Sequence, residues 1–496
     1  MSTANPTIDP NAAVPLKTYQ VVGRVLGPLL FVIMLGTESV QDVMSLQAWR
    51  VAAIGLWMAV WWSTEAIPVP VTAFMPLVLF EPMGIASFRD AAAPYANPTI
   101  YLYLGGFMMA LAIERWNLHR RISLAILDKT GTNGRRLVGG FMFVSATLSM
   151  WMTNTSTTMM LLPIVVSVIS VMRENVTGVA DKTMNNFHIV MLLGIAYGAS
   201  IGGLATLVGT PPNALLVAYM ADNYGLEISF ARWMALGIPV TFVLLPLAWL
   251  VLTRFVFPVD LPANRAVDEH LHELREELGP MSPAERRVAM VFGTVVFCWM
   301  FRGPVTDFFG ITGVSDSGIV ITATVLLFLI PSRDPGQRQL MTWQDAGRLP
   351  WGVLILFGGG LSLAAGVSDS GLALWLGESL APLNALGTAV LVVAAVTLVI
   401  YLTELTSNLA TTATLLPVMA AIAVQAGVPP IVLTVPITIA ASCAFMLPVA
   451  TPPNAIVFAT GAISIPQMVK AGFFLNFVGI VLVSIVSLFL APELLQ

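Results

Sequence analysis

Four short polar segments interrupt otherwise apolar stretches of this sequence. Two are rich in hydroxyl and amide side chains, T-N-T-S-T-T at 153–158 and T-S-N-L-A-T-T at 406–412, and two contain T-P-P-N, as G-T-P-P-N at 209–213 and A-T-P-P-N at 450–454. Hydroxyl and amide oxygens suit a hard cation such as Na⁺, and their O–H and N–H groups can hold an anion. None of the four contains Lys, Arg or His. An anion bound there would therefore rely on neutral donors, helix dipoles and co-bound Na⁺.

The overall composition places these segments in a membrane. Of 496 residues, 57% are hydrophobic and only 10% are charged, whereas a soluble domain has about 25% charged residues. Disorder is excluded because it requires low hydrophobicity. The net charge of −4 gives no basic patch, so the expected partner is the lipid bilayer and not nucleic acid. The start has no basic region and no A-x-A site, so no cleaved signal peptide is expected.

The hydropathy pattern predicts an all-α polytopic membrane protein with about 11 transmembrane helices plus two re-entrant helical hairpins. A helix crosses the hydrocarbon with roughly 20 apolar residues. Segments 137–173 and 387–426 are too long for one span and have a polar cluster in the middle, which predicts the hairpins. Segments 187–222 and 428–463 contain T-P-P-N and are predicted to be broken helices, because proline removes a backbone donor and clashes with the preceding turn. The other predicted spans are 21–37, 48–64, 68–86, 98–116, 231–257, 286–303, 317–332, 350–376 and 470–495.

The Lys and Arg residues agree with this number of crossings. If the N-terminus is cytoplasmic and the spans alternate, 19 of the 23 Lys and Arg residues fall on the cytoplasmic side, as the positive-inside rule requires. A full crossing at either hairpin would invert the alternation downstream and weaken the asymmetry. This topology places the C-terminus outside, and we expect the membrane to be a bacterial inner membrane.

The polar segments recur in the same order in each half of the chain. Asn154 and Asn408 lie 254 residues apart, and Asn213 and Asn454 lie 241 apart. Each half has five spans and one hairpin, and because five is odd, the second copy is inverted. Inverted repeats around discontinuous helices are typical of secondary transporters. The predicted division is a tail and first helix at 1–47, a first repeat at 48–257, a linker with an amphipathic helix at 258–285 and a second repeat at 286–496.

Each T-P-P-N motif is predicted to start a second half-helix. Non-helical backbone in a bilayer is tolerated where it is buried in protein or lines a cavity, and its free carbonyl and N–H groups suit an ion site. Proline fits the first turn of the new helix, and the preceding Thr210 or Thr451 can cap it. Two acids lie at or near membrane depth. We expect Glu404 to brace the second hairpin and Glu65 to lie at the end of a span.

Four stretches of the sequence are similar to one transporter family. A-S-C-A-F-M-L-P-V-A-T-P-P-N-A-I-V at 441–457 resembles a full family signature, and T-E-A-I-P-V-P-V-T-A at 64–73 is similar to a second family stretch. The hairpin-tip motifs, S-N-T in type, are T-N-T at 153–155 and S-N-L at 407–409. The chain thereby resembles the divalent anion/sodium symporters, which carry dicarboxylates, citrate or sulfate. The resemblance extends from the second span onward.

The resemblance implies a homodimer in which a rigid scaffold domain holds a transport domain that moves like an elevator. The transport domain would contain both hairpins and both broken helices. Two Na⁺ sites are implied, one at Ser149, Thr153, Asn154 and the backbone near Gly209, and one at Thr403, Thr406, Asn408 and the backbone near Ala450. The implied contacts of the substrate carboxylates are Asn154, Thr155, Ser407, Asn408 and Thr451, with Thr210 and Pro452 nearby.

Two residues depart from the family pattern. Thr153 stands where Ser is usual, which keeps the hydroxyl and adds a methyl group. Leu409 stands where dicarboxylate carriers have Thr. The missing hydroxyl takes one hydrogen bond from the surroundings of one carboxylate, a loss of about 0.5–1.5 kcal/mol. Substrate selectivity is the property that this change affects.

The function that follows from these expectations is Na⁺-coupled symport of a C4-dicarboxylate such as succinate, malate or fumarate, with two or more Na⁺ ions. The alternatives are a tricarboxylate or sulfate symporter and a Na⁺-independent dicarboxylate exchanger. An intramembrane enzyme would need a nucleophile–base pair or a metal cluster inside the membrane, and the sequence shows neither, so no catalytic residue is predicted. A channel would have a filter on a continuous path, whereas inverted repeats around a closed central site favour alternating access.

Overall fold

The computed structural model describes residues 17–176, 178–334, 336–380, 382 and 387–495. Within these ranges, nine helices are long and apolar enough to cross a membrane, and four shorter apolar helices or helix pairs accompany them. This architecture confirms the prediction of an all-α polytopic membrane protein. The first 16 residues of the predicted 1–47 segment lie outside the described residues.

The first half of the chain contains one helical hairpin and one broken helix. The hairpin turns at 150–153, inside the predicted segment 137–173, and the break at 204–210 lies inside 187–222. The predicted span 68–86 contains only two short helices, because Pro68, Pro70 and Pro76 each remove a backbone donor. The helices are α1 (Thr18–Gly36), α2 (Leu46–Thr64), α3 (Val69–Thr72), α4 (Met75–Leu79), α5 (Phe88–Ala92), α6 (Pro98–Arg115), α7 (Leu118–Leu127), α8 (Gly134–Ser149), α9 (Asn154–Asn175), α10 (Asp181–Gly203), α11 (Pro211–Tyr224) and α12 (Phe230–Leu250), with a 3₁₀ turn at Ala93–Ala96 and a π turn at Val251–Val256.

The second half has the same two features, with a hairpin turn at 404–407 and a break at 442–451. The linker between the halves contains α13 (Arg265–Glu276). A small antiparallel ribbon, which the sequence did not predict, pairs Pro331 with Gln339. The elements are α14 (Pro283–Phe309), α15 (Asp316–Leu329), β1 (Pro331–Asp334), β2 (Gln337–Gln339), α16 (Trp343–Ala346), α17 (Trp351–Asp369), α18 (Leu372–Leu380), α19 (Thr388–Thr403), α20 (Asn408–Gln425), α21 (Ile431–Ala441), α22 (Pro452–Phe458), α23 (Ile465–Phe489) and α24 (Ala491–Leu495).

Helix α10 lies at the centre of the fold. Its apolar window is 89% buried, whereas those of α1 and α14 are 17% buried and so face the surroundings of the protein. Close contact between α10 and α8 depends on glycine, since a Cβ at Gly202 would lie 2.2 Å from the carbonyl oxygen of Ala146. The two halves interlock around this helix, because α22 packs against α9 and α10, and α11 packs against α20. Each half-helix after a break therefore contacts the hairpin of the other half.

The linker helix α13 attaches to the first half through one face. Val267 and Leu271 are four residues apart and buried, and α13 packs against α7 and α9. Arg275 of α13 forms an ion pair with Asp128 at the end of α7. The amphipathic pattern thus serves to dock the linker on neighbouring helices.

Candidate functional site

The tip of the first hairpin holds a hydroxyl and an amide oxygen together. Ser149 is the last residue of α8 and Asn154 is the first of α9. The Ser149 hydroxyl donates to the Asn154 amide oxygen over 2.5 Å. Thr153 caps α9, its hydroxyl oxygen accepting the N–H of Ser156 at 3.1 Å. The chain therefore leaves α8 and enters α9 with two side-chain oxygens fixed beside each other.

The first break lies directly against this tip. A Cβ placed on Gly203 would be 2.8 Å from the Asn154 amide oxygen and 3.1 Å from the carbonyl oxygen of Gly209. Both oxygens therefore approach the same backbone position at the end of α10. Oxygen atoms of Ser149, Asn154 and Gly209, three of the four residues predicted for the first Na⁺ site, therefore lie close together here.

The second hairpin tip repeats this arrangement. The hydroxyl oxygen of Thr403, at the end of α19, lies 2.9 Å from the amide oxygen of Asn408 and 2.8 Å from the carbonyl oxygen of Ala441. Thr403 and Asn408 are five residues apart, as are Ser149 and Asn154. Thr406, also predicted for this site, instead has its hydroxyl 2.5 Å from that of Thr411.

An asparagine three residues after the end of each break holds the broken backbone in place. The Asn213 amide N–H groups donate to the carbonyl oxygens of Gly203 at 3.1 Å and Thr206 at 2.8 Å. The Asn454 amide donates to those of Ala444 at 3.2 Å and Leu447 at 3.0 Å. In both halves the acceptors precede the asparagine by ten and seven residues. The sequence pattern singled out both asparagines, but their bracing role required the structure.

The amide oxygens of these two asparagines are buried and have no hydrogen-bond partner within the described part of the chain. A buried amide oxygen without a donor is costly. It is also a free ligand of the kind that a hard cation uses. Asn213 and Asn454 therefore provide two free amide oxygens at the breaks. The site predicted from the sequence did not include these two residues.

The two half-helices begin with different caps. Thr451 accepts the N–H of Asn454 at 3.3 Å, as the sequence predicted, whereas Thr210 makes no capping hydrogen bond. In the first half another threonine, Thr206, joins the break to the hairpin. Its hydroxyl donates to the carbonyl of Met150 at 2.5 Å and accepts the N–H of Gly209 at 3.1 Å. No sequence pattern distinguishes Thr206 from the other threonines of the apolar segments.

Glu404, which the sequence predicted to brace the second hairpin, ties the tip of that hairpin to the second break. It is only 3% exposed. Its carboxylate accepts the backbone N–H groups of Phe445, Met446 and Leu447 at 2.8–3.0 Å and the side-chain amide of Asn476 at 2.8 Å. Every hydrogen bond to this group is accepted, which is the pattern of an ionised carboxylate. These donors stabilise the ionised form of the carboxylate, which places a negative charge next to Thr403 in the chain, where it favours a cation.

The remaining predicted residues differ in burial and have no hydrogen bond to the oxygen clusters of the hairpin tips among the described residues. Thr155 and Ser407 are half-buried beside Asn154 and Asn408, and Pro452 is exposed. Thr210, Ala450 and Thr451 are buried. No hydrogen bond in the described ranges connects Thr155, Ser407 or Pro452 to another predicted site residue. Glu65 is exposed and ends α2 in the left-handed conformation, in agreement with its predicted place at the end of a span.

Comparison with known proteins establishes the family. The family described as the sodium:sulfate symporter transmembrane region matches residues 21–493. The chain belongs to this symporter family. Membership confirms the resemblance to the divalent anion/sodium symporters and identifies the protein as an integral membrane transporter and not an enzyme.

Two bacterial relatives and one solved structure are similar over most of the chain. The sodium-dependent dicarboxylate transporter SdcS of Staphylococcus saprophyticus is 42% identical, with 97% of this chain and 93% of the relative covered. The protein of the same name from Staphylococcus aureus is 41% identical with the same coverage. The structure of the Alcanivorax borkumensis YdaH transporter has a TM-score of 0.53 at 14% identity and covers 81% of this chain and 87% of that one. This last likeness is one of fold alone.

Proposed function

We propose that this symporter couples Na⁺ to the uptake of C4-dicarboxylates such as succinate, malate and fumarate. One observation carries the proposal: each hairpin tip holds an asparagine oxygen against a hydroxyl, at Asn154 with Ser149 and at Asn408 with Thr403, and the four polar segments contain no cationic side chain. The names of the Staphylococcus relatives support both the cation and the substrate class.

The charges of the site explain why uptake would require Na⁺. A dianion entering a centre without Lys, Arg or His gains no charge to offset its desolvation, and the Glu404 carboxylate nearby repels it. Two Na⁺ ions, one at each hairpin tip, would balance the two substrate charges and order the oxygen ligands. The dicarboxylate would then bind the half-buried Thr155 and Ser407 and the two asparagines. Empty and fully loaded proteins would move more readily than partly loaded ones.

The two halves are proposed to be inverted repeats with re-entrant hairpins. The matched spacings support this division: a hydroxyl five residues before each hairpin asparagine, and carbonyl acceptors ten and seven residues before each bracing asparagine. The hairpins and broken helices of the two repeats, which interlock with α22 on α9 and α11 on α20, would form one transport domain held by a scaffold domain. We further propose an elevator motion in a homodimer, an inner-membrane location, a cytoplasmic N-terminus and an outside C-terminus.

The substrate class is tested by counterflow in proteoliposomes loaded with unlabelled succinate, with labelled succinate outside and competitors added in turn. We expect malate and fumarate to compete strongly, and sulfate and citrate weakly. Strong competition by sulfate or citrate, with weak competition by C4-dicarboxylates, would contradict the substrate assignment.

The site is tested by alanine substitution of its amides. Asn154→Ala and Asn408→Ala are each expected to abolish uptake, because each removes the oxygen and the amide donor at one hairpin tip. Asn185→Ala makes the same change at an exposed position near the start of α10 and should keep the wild-type rate. Wild-type uptake by either hairpin variant would refute the site.

A further inference from the structure

A buried tyrosine of the first half is hydrogen-bonded to the second break. Tyr197 on α10 and Phe445 in the second break are both fully buried. The Tyr197 hydroxyl donates to the Phe445 carbonyl oxygen at 2.6 Å. The two rings also meet edge to face, with centroids 5.1 Å apart. This hydrogen bond spans 248 residues of sequence and crosses from the first half to the second.

Helix α10, which carries Tyr197, extends to the first hairpin tip. Ser145 of α8 donates to the carbonyl of Ile195 at 2.6 Å, and Thr241 of α12 donates to that of Ile201 at 3.1 Å. The close approach at Gly202 leaves no space between α10 and α8. The helix ends at Gly203, against the Asn154 oxygen. The helix that carries Tyr197 therefore ends against the Asn154 oxygen and is tightly packed against α8.

Phe445, the acceptor of this hydrogen bond, is connected to the second hairpin tip. The N–H of Phe445 donates to Glu404 at 2.8 Å, and Glu404 follows Thr403 in the chain. Phe445 is thus held by Tyr197 through its carbonyl and by Glu404 through its N–H. Phe445 lies within the second break, which continues along the chain to Ala450 and Thr451.

We infer that Tyr197 is a positioning residue that couples the two cation sites, so that Na⁺ bound at one hairpin tip raises the affinity for Na⁺ at the other. The inference rests on the proposed function. Na⁺ at the first tip orders the end of α10, and the Tyr197 hydroxyl then holds the second break in the geometry that Na⁺ needs there. Because coupling is reciprocal, Na⁺ at the second tip favours binding at the first to the same extent.

The test is equilibrium binding of radioactive Na⁺ to the purified full-length protein without substrate. Tyr197→Phe keeps the ring and removes the hydroxyl. The matched control is Tyr103→Phe, because the Tyr103 hydroxyl is fully buried in α6 and has no hydrogen-bond partner in the described ranges. We expect a Hill coefficient above about 1.5 in the wild type and near 1 in Tyr197→Phe, with half-saturating Na⁺ raised about fivefold or more. The control should match the wild type.

A second readout separates coupling from general damage to the fold. At saturating Na⁺, the KM for succinate uptake by Tyr197→Phe should stay within about twofold of the wild-type value, because the substrate ligands are then ordered by the bound ions. An unchanged Hill coefficient in Tyr197→Phe, or an equal fall in Tyr103→Phe, would overturn the inference. A rise in the succinate KM at saturating Na⁺ as large as the loss of Na⁺ affinity would do so too.

The wild type alone keeps the inference falsifiable if Tyr197→Phe does not fold. A wild-type Hill coefficient of 1 with two bound ions means independent sites and overturns the coupling. Absence of Na⁺ binding by the wild type overturns the proposed function itself, and the two failures are therefore distinguishable.

Discussion

Replacing Glu404 by glutamine removes the buried charge and changes one acceptor oxygen into an NH₂ donor. The carboxylate oxygens differ in their contacts: Oε1 accepts from Phe445, Met446 and Asn476, and Oε2 accepts from Met446 and Leu447. The amide of glutamine is best accommodated with its nitrogen at the Oε2 position. There it faces the N–H of Leu447, which then has no acceptor.

The cost of this change follows from the lost contacts. A buried unsatisfied N–H costs about 1–3 kcal/mol, and the three remaining hydrogen bonds each lose about 1 kcal/mol of charge assistance. Removing a buried charge offsets part of this loss. We expect a net penalty of about 2–4 kcal/mol on the ordered conformation of the second break. If half of this penalty lowers the population of the conformation that binds Na⁺, the Na⁺ concentration that gives half-maximal uptake rises about 5- to 30-fold.

The assay is the Na⁺ dependence of succinate uptake in proteoliposomes, together with the melting temperature of the detergent-solubilised protein. The matched control is Glu378→Gln, which removes the same charge at an exposed position on α18. The control should retain the wild-type Na⁺ dependence and melting temperature, whereas Glu404→Gln should lose affinity for Na⁺ and melt earlier. A Glu404→Gln protein indistinguishable from its control in both measurements would refute the bracing role and the charge argument.

Three further substitutions test the oxygen clusters. Gly203→Ala places a methyl group 2.8 Å from the Asn154 oxygen and should lower the apparent Na⁺ affinity at least tenfold. The control Gly293→Ala, whose added methyl group has nothing within 4 Å, should keep the wild-type affinity. Equal Na⁺ titrations of uptake for the two variants would contradict the geometry. Leu409→Thr adds a hydroxyl beside Asn408 and should lower the KM for succinate up to about tenfold; a raised KM would show that the apolar side chain is needed. Asn213→Ala leaves two backbone carbonyls without their donor and should lower the melting temperature, and an unchanged value would exclude the bracing role.

The helices of this protein could be predicted because hydropathy is a local property. The long apolar segments with polar centres contained both hairpin turns, and T-P-P-N marked both breaks, because proline acts on its own turn. The predicted span 68–86 was wrong as a single helix, since its prolines outweighed its apolar composition. The short ribbon of β1 and β2 has no strand-like apolar pattern and was missed for that reason.

The candidate site was predictable in its residues more than in its contacts. Asn154 and Asn408 stand at recognisable motifs, whereas Ser149 was implied by the family resemblance, and their roles in binding stay predictions. The partners of Glu404 lie 41 to 72 residues further along the chain, and Tyr197 meets Phe445 across 248 residues. No local pattern indicates such contacts, since they depend on how the two halves interlock.

Coupling between Na⁺ and the dianion is the central claim, and gradient-driven accumulation tests it most directly. Proteoliposomes with an inward Na⁺ gradient would receive labelled succinate, with K⁺ or choline replacing Na⁺ in parallel vesicles. We predict that succinate accumulates above its external concentration with Na⁺ and does not accumulate with K⁺ or choline. Equal uptake in all three salts, or exchange with preloaded succinate in place of net accumulation, would contradict the account and would require both Na⁺ sites to be withdrawn.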